Sequence, residues 1–319
     1  MHRFFDLRYL GIIAVVMVAG ATTRAQTVST GQQDRVRMTP PSTPFQDSYS
    51  ADQNGVDATD HAAQSPNDTD LGEQEILKRV ERYQPFSAGL AMPFYYTSNV
   101  ALVRRGEKGD FLIAPIAGFT YAPRITKTFF GDITIQDQQF IYSKYNQFDF
   151  GSFDIRAGFT YLLPQLHDLV LQAHYDYNRL NSRQTFNDFF SDHSIFLSAE
   201  LPFHLDRAQQ ISLGVDTSLS FAADPDLPQR NEFDIYVGYH LNVSRSFSID
   251  TVGRIFIRDY HEADRTDVSE VLALSANWHV TKWLSASAIS TFAWSQSNHD
   301  VFSYNVANIG GAIGFTVRF

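Results

Sequence analysis

The 319-residue chain has no cysteine. This excludes disulfide bonds, thiolate metal sites, cysteine nucleophiles and a lipid-modified N-terminal cysteine. An excess of basic residues is also missing, since 25 Lys and Arg against 35 Asp and Glu give a formal net charge of −10. That charge argues against nucleic acid as a partner. The sequence has no glycine-rich phosphate loop and no HExxH or EF-hand pattern, so we expect no cofactor and no metal site.

Long hydrophobic runs are scarce too. The one clear run, Leu10 to Gly20, is too short to span a bilayer. Arg3 and Arg8 precede it and small residues follow it, which predicts a signal peptide over residues 1–25, cut after Ala21 or Ala25. A mean hydropathy of −0.22 is too polar for a bundle of membrane helices.

The segment that follows, residues 26–84, has few large apolar residues up to about Asp70. We therefore predict a disordered periplasmic arm, because such a segment cannot bury enough apolar surface to fold alone. Within this arm, residues 70–83 could form a short helix with Leu71, Ile76 and Val80 on one side. Such a helix would either be a plug or partner-binding element, or a linker that shields the mouth of the following domain.

The last stretch, Tyr304 to Phe319, shows what the rest of the chain contains. Bulky apolar residues alternate with small or polar ones and end on Phe315, Val317 and Phe319. This ending resembles the closing strand of bacterial outer-membrane β-barrels, in which lipid lies outside and the lumen inside. The resemblance implies that Phe315, Val317 and Phe319 form the signal read by the barrel-assembly machinery.

The same alternation recurs from Phe86 onward in about twelve segments. Pro115 should disturb the second segment, and the parity of the third should slip between Asp137 and Phe140. Short and longer connections alternate, as periplasmic turns and extracellular loops do in outer-membrane barrels. We therefore predict an all-β fold: a transmembrane antiparallel β-barrel of about 12 strands over residues 85–319. It would be a monomer surrounded by outer-membrane lipid.

On these strand phases, several charged residues face the lumen. They would form either the selectivity lining of a pore or a salt-bridged, filled interior. The lumen-facing candidates are Asp154, Arg156, His174, Asp176, Asp216, Asp234, His240, Asp250, Arg254 and Arg258.

Three functions are compatible with this pattern. The first is a passive, porin-like channel for small polar solutes. The second is a structural or adhesive barrel that binds a partner through its loops or N-terminal arm. The third, an outer-membrane hydrolase, has the weakest support: Asp192, His193 and Ser194 are adjacent, but adjacency on a strand puts their side chains on opposite faces. We therefore expect no enzymatic activity.

Overall fold

The computed structural model describes residues 30–38, 83–206, 208–262 and 264–319. Period-2 alternation of apolar and polar residues produces thirteen strands in these ranges. Their bounds are β1 Phe86–Thr97, β2 Asp110–Ile113, β3 Ile116–Tyr121, β4 Phe129–Tyr142, β5 Phe150–Leu163, β6 Leu169–Ser182, β7 Asp188–His204, β8 Gln209–Asp224, β9 Arg230–Ser244, β10 Phe247–Tyr260, β11 Thr266–His279, β12 Leu284–Ser297 and β13 Tyr304–Arg318.

The strands form a closed antiparallel barrel. β13 pairs with β1 from Ser87↔Arg318 to Thr97↔Asn308, so the sheet has no free edge there. β2 and β3 both pair with β1 and β4, and are two halves of one barrel strand. The interruption falls at Pro115, which cannot donate to the ladder. The predicted twelve-strand transmembrane barrel is thereby confirmed.

Most of the large apolar side chains on the strands point outward. Phe315, Val317 and Phe319 are about half exposed, whereas Ala312 and Gly314 on the opposite face are buried. A water-soluble fold would bury its bulky face, so this pattern is that of a surface made for lipid. Exposed aromatic residues lie near both ends of the strands, as membrane-interface girdles do. They include Tyr161, Phe221, Phe233, Trp278, Trp283 and Trp294.

The expected parity slip in β4 is wrong. Alternation continues to Tyr142, with Phe140 and Tyr142 buried inside the barrel. Phe140 stacks on Phe150 with ring centroids 4.4 Å apart. The outward residues Asp137 and Gln139 hydrogen-bond to each other at 2.9 Å. The sequence was misleading here because polar residues of β4 face outward and aromatic residues face inward. Aromatic rings fill this part of the barrel interior.

The two ends of the barrel differ. At the short-turn end the connections are residues 122–128, 164–168, 205–208, 245–246 and 280–283. At the long-loop end they are 98–109, 143–149, 183–187, 225–229, 261–265 and 298–303. The strands extend further into the long-loop end than the sequence predicted, and 98–109 is its longest connection. Within the described residues, no helix is both long and apolar enough to cross a membrane.

One helix, residues 30–38, was not predicted. We call it the lumen helix, because most of its side chains are buried against the inner wall of the barrel. For these nine residues the expectation of a disordered periplasmic arm is corrected. The predicted signal peptide (1–25) and nearly all of the predicted helix at 70–83 lie outside the described residues.

Candidate functional site: the barrel lumen and its helix

The lumen helix lies at the long-loop end of the barrel. Its partners sit where strands meet the long loops: Thr97 ends β1, Arg230 begins β9, and Tyr304 begins β13. β1 itself starts at Phe86 at the opposite, short-turn end. The helix therefore occupies the end of the lumen that is farthest from the start of the barrel domain.

Asp34 makes the central contact of the lumen helix. Its carboxylate accepts a hydrogen bond from the Tyr304 hydroxyl at 2.8 Å and pairs with Arg230 at 2.9 Å and Arg258 at 3.5 Å. Burial alone would raise the pKa of Asp34, but the guanidinium groups of Arg258 and Arg230 outweigh it and hold that pKa below its usual value. Asp34 is therefore the anionic partner of two buried arginines.

Two arginines extend the docking contact. Arg35 donates to the Thr97 hydroxyl at 3.2 Å and to the carbonyls of Asn99 and Val100 at 2.8 and 3.0 Å. Arg37 pairs with Glu232 at 3.3 Å. These contacts join the helix to both β1 and β9, so that it bridges the lumen instead of lying along one strand.

Apolar contacts complete the docking surface. Met38 is buried in a cluster with residues of β10 to β13, and Val36 packs against a second cluster formed around Phe140 and Phe150. The Met38 cluster contains Leu102, Phe256, Val271, Ala293, Tyr304 and Val306. The long-loop half of the lumen is thus filled by side chains, as the filled-interior alternative anticipated.

The wall around Asp34 holds an unusual number of buried charges. Arg258 pairs loosely with Glu232 at 3.7 Å, and Arg265 is paired with Asp267. Arg230 is held by Glu232 at 2.6 Å and by the Tyr260 hydroxyl at 2.8 Å. Such charges are tolerated only when they are paired and hydrogen-bonded.

Toward the short-turn end the lumen is still charged but more open. Arg254 pairs with Asp216 at 3.0 Å and with Asp234. His240 contacts Asp250 at 2.5 Å, and Arg156 pairs with Asp176 at 3.1 Å. The side chains of Arg156, His240 and Arg254 keep 45%, 38% and 26% of their surface exposed although they face inward. Water therefore reaches the middle and the short-turn half of the lumen.

The remaining candidates also face inward. Asp154 accepts a hydrogen bond from Asn178 at 2.6 Å. His174 is buried and stacks on Phe196 with ring centroids 6.0 Å apart. The structure thus places all ten predicted lumen residues on the inner face. Their predicted part in solute selectivity stays a prediction.

The sequence did not reveal Asp34, Arg35, Arg230, Glu232 or Tyr304 as site residues. Arg230 is the first residue of β9 and shares the inward parity of Glu232 and Asp234 on that strand. Extending the β9 alternation by a few residues would have found Arg230 and Glu232. No comparable signal marks Asp34, because its partners Arg230, Arg258 and Tyr304 are remote in the chain, with Tyr304 270 residues away.

No catalytic arrangement forms at Asp192, His193 and Ser194. Asp192 faces inward and accepts a hydrogen bond from Ser220, and Ser194 is buried on the same face. His193 lies on the outer face, where its ring contacts the Tyr175 hydroxyl at 2.6 Å. In the described part of the chain, no group of three or more His, Asp or Glu residues is placed to hold a metal ion.

Comparison with known proteins agrees with the architecture. The sequence matches no protein-family model, and no curated protein matches it. Among solved structures, the COG4313 outer membrane channel from Pseudomonas putida F1 is similar at a TM-score of 0.54 and 11% identity, covering 77% of this chain and all of that one. The translocator domain of the autotransporter NalP from Neisseria meningitidis matches at 0.44 and 10%, covering 76% and 90%. The KdgM porin matches at 0.40 and 5%, covering 71% and 98%. The chain thus has the fold of an outer-membrane β-barrel.

Proposed function

We propose that this protein is a passive channel for small polar solutes in a bacterial outer membrane, reached through the signal peptide and the barrel-assembly machinery. In this proposal the lumen helix, whose side chains are buried against the wall at the long-loop end, blocks that end until it is released. The observation that carries this proposal is the exposure of two inward-facing polar side chains, Arg156 and His240, at 45% and 38%. A filled barrel would bury its interior side chains, whereas these line a hydrated space.

Opposed charges would set the preference of the channel. Arg254 with Asp216 and Asp234, and Arg156 with Asp176, place acidic and basic groups side by side on the wall. A solute with hydrogen-bonding groups can exchange contacts with these side chains, whereas an apolar solute cannot. This favours small polar solutes and requires no catalytic group.

A planar-bilayer recording of the full-length protein tests the proposal. Asp34→Asn removes one of the two carboxylates that pair with Arg230 and Arg258, and breaking a buried pair of this kind costs about 3–5 kcal/mol. We expect Asp34→Asn to raise the steady ion current over that of the unaltered protein. Asp300→Asn is the matched control, because Asp300 is an exposed loop residue paired with Arg104 and does not touch the lumen helix.

Selectivity gives the second part of the test. Adding Arg254→Gln to Asp34→Asn removes a positive charge from the lumen wall, so the ion preference should shift toward cations. An unchanged preference, or no current from any variant, would contradict the channel.

The second candidate is a structural or adhesive barrel that binds a partner through its loops or N-terminal arm. The filled long-loop half, with Met38 and Val36 packed into apolar clusters, favours it. A silent insertion of Asp34→Asn into bilayers, together with a normally folded barrel, would support this candidate over the channel.

A further inference from the structure

We propose that Arg230, Arg258 and Tyr304 form a binding site for the carboxylate group of a small solute, and that Asp34 occupies this site when the lumen helix is docked. The inference rests on the proposed function for the route by which a solute arrives. It adds to that function a solute class and a reason why the channel opens.

The pairing of the wall arginines supports this site. Arg230 and Arg258 share one wall carboxylate, Glu232, at 2.6 and 3.7 Å, whereas Arg265 is paired with Asp267. The second carboxylate beside Arg230 and Arg258 is Asp34, at 2.9 and 3.5 Å, which belongs to the helix and not to the wall. Without the helix, two buried arginines would share one carboxylate, so they can accept a second anion.

The wall itself holds the arginine donors in place. Arg230 is fixed by Glu232 and Tyr260. Arg258 donates to the Ser269 hydroxyl at 2.6 Å and lies over the Phe256 ring at 5.1 Å. A site whose guanidinium groups are already oriented binds a carboxylate without paying their ordering entropy.

Some arginine N–H groups of the wall remain without an acceptor. Within the described residues, Nε of Arg258 and Nη1 of Arg265 are buried and make no hydrogen bond, even with Asp34 in place. Arginine presents five N–H donors in a planar fork that matches a carboxylate. A free carboxylate, which is not constrained by a helix backbone, can approach these donors more closely than Asp34 does.

Exchange between Asp34 and a solute would release the helix. Because Asp34 belongs to the same chain as the barrel, a free acid must compete with an effective concentration on the order of millimolar. A carboxylate that binds only the emptied site shifts the equilibrium toward the released helix. At a concentration ten times its dissociation constant, the shift is roughly tenfold.

The test follows helix release through a single thiol. Met38→Cys places the only thiol of the chain at a buried position of the docked helix. Succinate should accelerate labelling of this thiol by a membrane-impermeant maleimide at millimolar concentrations. Succinamide, its uncharged diamide, should not. Equal effects of the two compounds, or none from succinate, would overturn the site.

Variants of the wall locate the response. Arg258→Gln in the Met38→Cys protein should label faster at rest and lose its response to succinate, and Arg258→Lys should keep part of it. Arg104→Gln, which removes an exposed loop arginine paired with Asp300, should respond normally. A succinate response that survives in Arg258→Gln would refute the assignment.

Labelling does not depend on conduction, so the two proposals can fail separately. A succinate response without ion current in any variant would support the carboxylate site and contradict the channel. Ion current through Asp34→Asn without a succinate response would support the channel and contradict the carboxylate site.

Discussion

At Gly310 the backbone of β13 lies too close to β1 to admit a side chain. A Cβ atom built there falls under 3.0 Å from the Phe94 carbonyl oxygen and from Tyr95 Cβ. Gly310 is the register partner of Tyr95, whose ring belongs to the apolar cluster at the long-loop end. Gly310 therefore allows the close approach of β13 to β1, the strand pair that closes the barrel.

We expect Gly310→Ala to destabilise the barrel, because overpacking of this kind costs about 1–3 kcal/mol. Urea unfolding in lipid vesicles would measure the loss. Gly253→Ala is the matched control, since a Cβ at Gly253 meets nothing within 4 Å and should change the unfolding midpoint little. Equal unfolding midpoints for both variants would mean that the β1–β13 pair tolerates a wider spacing between its backbones.

At the scale of the element, the strands were predictable and the lumen helix was not. A barrel strand reports its environment in its own sequence, because lipid and lumen impose opposite polarities on alternate residues. The alternation was predicted to begin at Phe86, and β1 begins at that residue. The lumen helix carries no such pattern: its polar residues are buried through pairing with Arg230, Arg258 and Tyr304, which are remote in sequence. The inward turn of Phe140 escaped prediction for the same reason, since its partner Phe150 lies on another strand.

The lumen helix can be fixed in place by a disulfide. A Cβ at Gly31 would lie 4.0 Å from Leu102 Cβ, within the range found in disulfides, and the chain has no other cysteine. In the Asp34→Asn background we expect the oxidised Gly31→Cys, Leu102→Cys pair to abolish the bilayer current, because the helix can no longer leave. A reductant should restore it.

The control for this lock is Leu102→Cys alone, which should show no response to oxidant or reductant. Should the oxidised pair conduct as well as the reduced pair, movement of the lumen helix would not be what opens the barrel.

The whole molecule is a barrel with two different interiors inside one outer surface. Near the long loops, buried ion pairs and aromatic clusters surround the lumen helix, whereas nearer the short turns the side chains of Arg156 and His240 remain exposed. Apolar side chains cover most of the outer surface. The alternation in the sequence sufficed to predict the outer surface, because lipid acts on each strand separately. The division of the interior depends on contacts among many strands.

A pair of arginine substitutions tests whether lipid surrounds the whole barrel. Ile235 and Val243 are both on the outer face of β9, with 61% and 56% of their surface exposed, but Ile235 lies within the span of the strand and Val243 at its short-turn end. In water the two positions would tolerate arginine equally. In a bilayer the cost depends on depth: about 2–4 kcal/mol near the midplane and about 0–1 kcal/mol near the interface. We therefore expect Ile235→Arg to lower the free energy of unfolding in vesicles by clearly more than Val243→Arg. Equal losses of unfolding free energy would indicate that this face does not contact hydrocarbon. That result would contradict a membrane-spanning barrel.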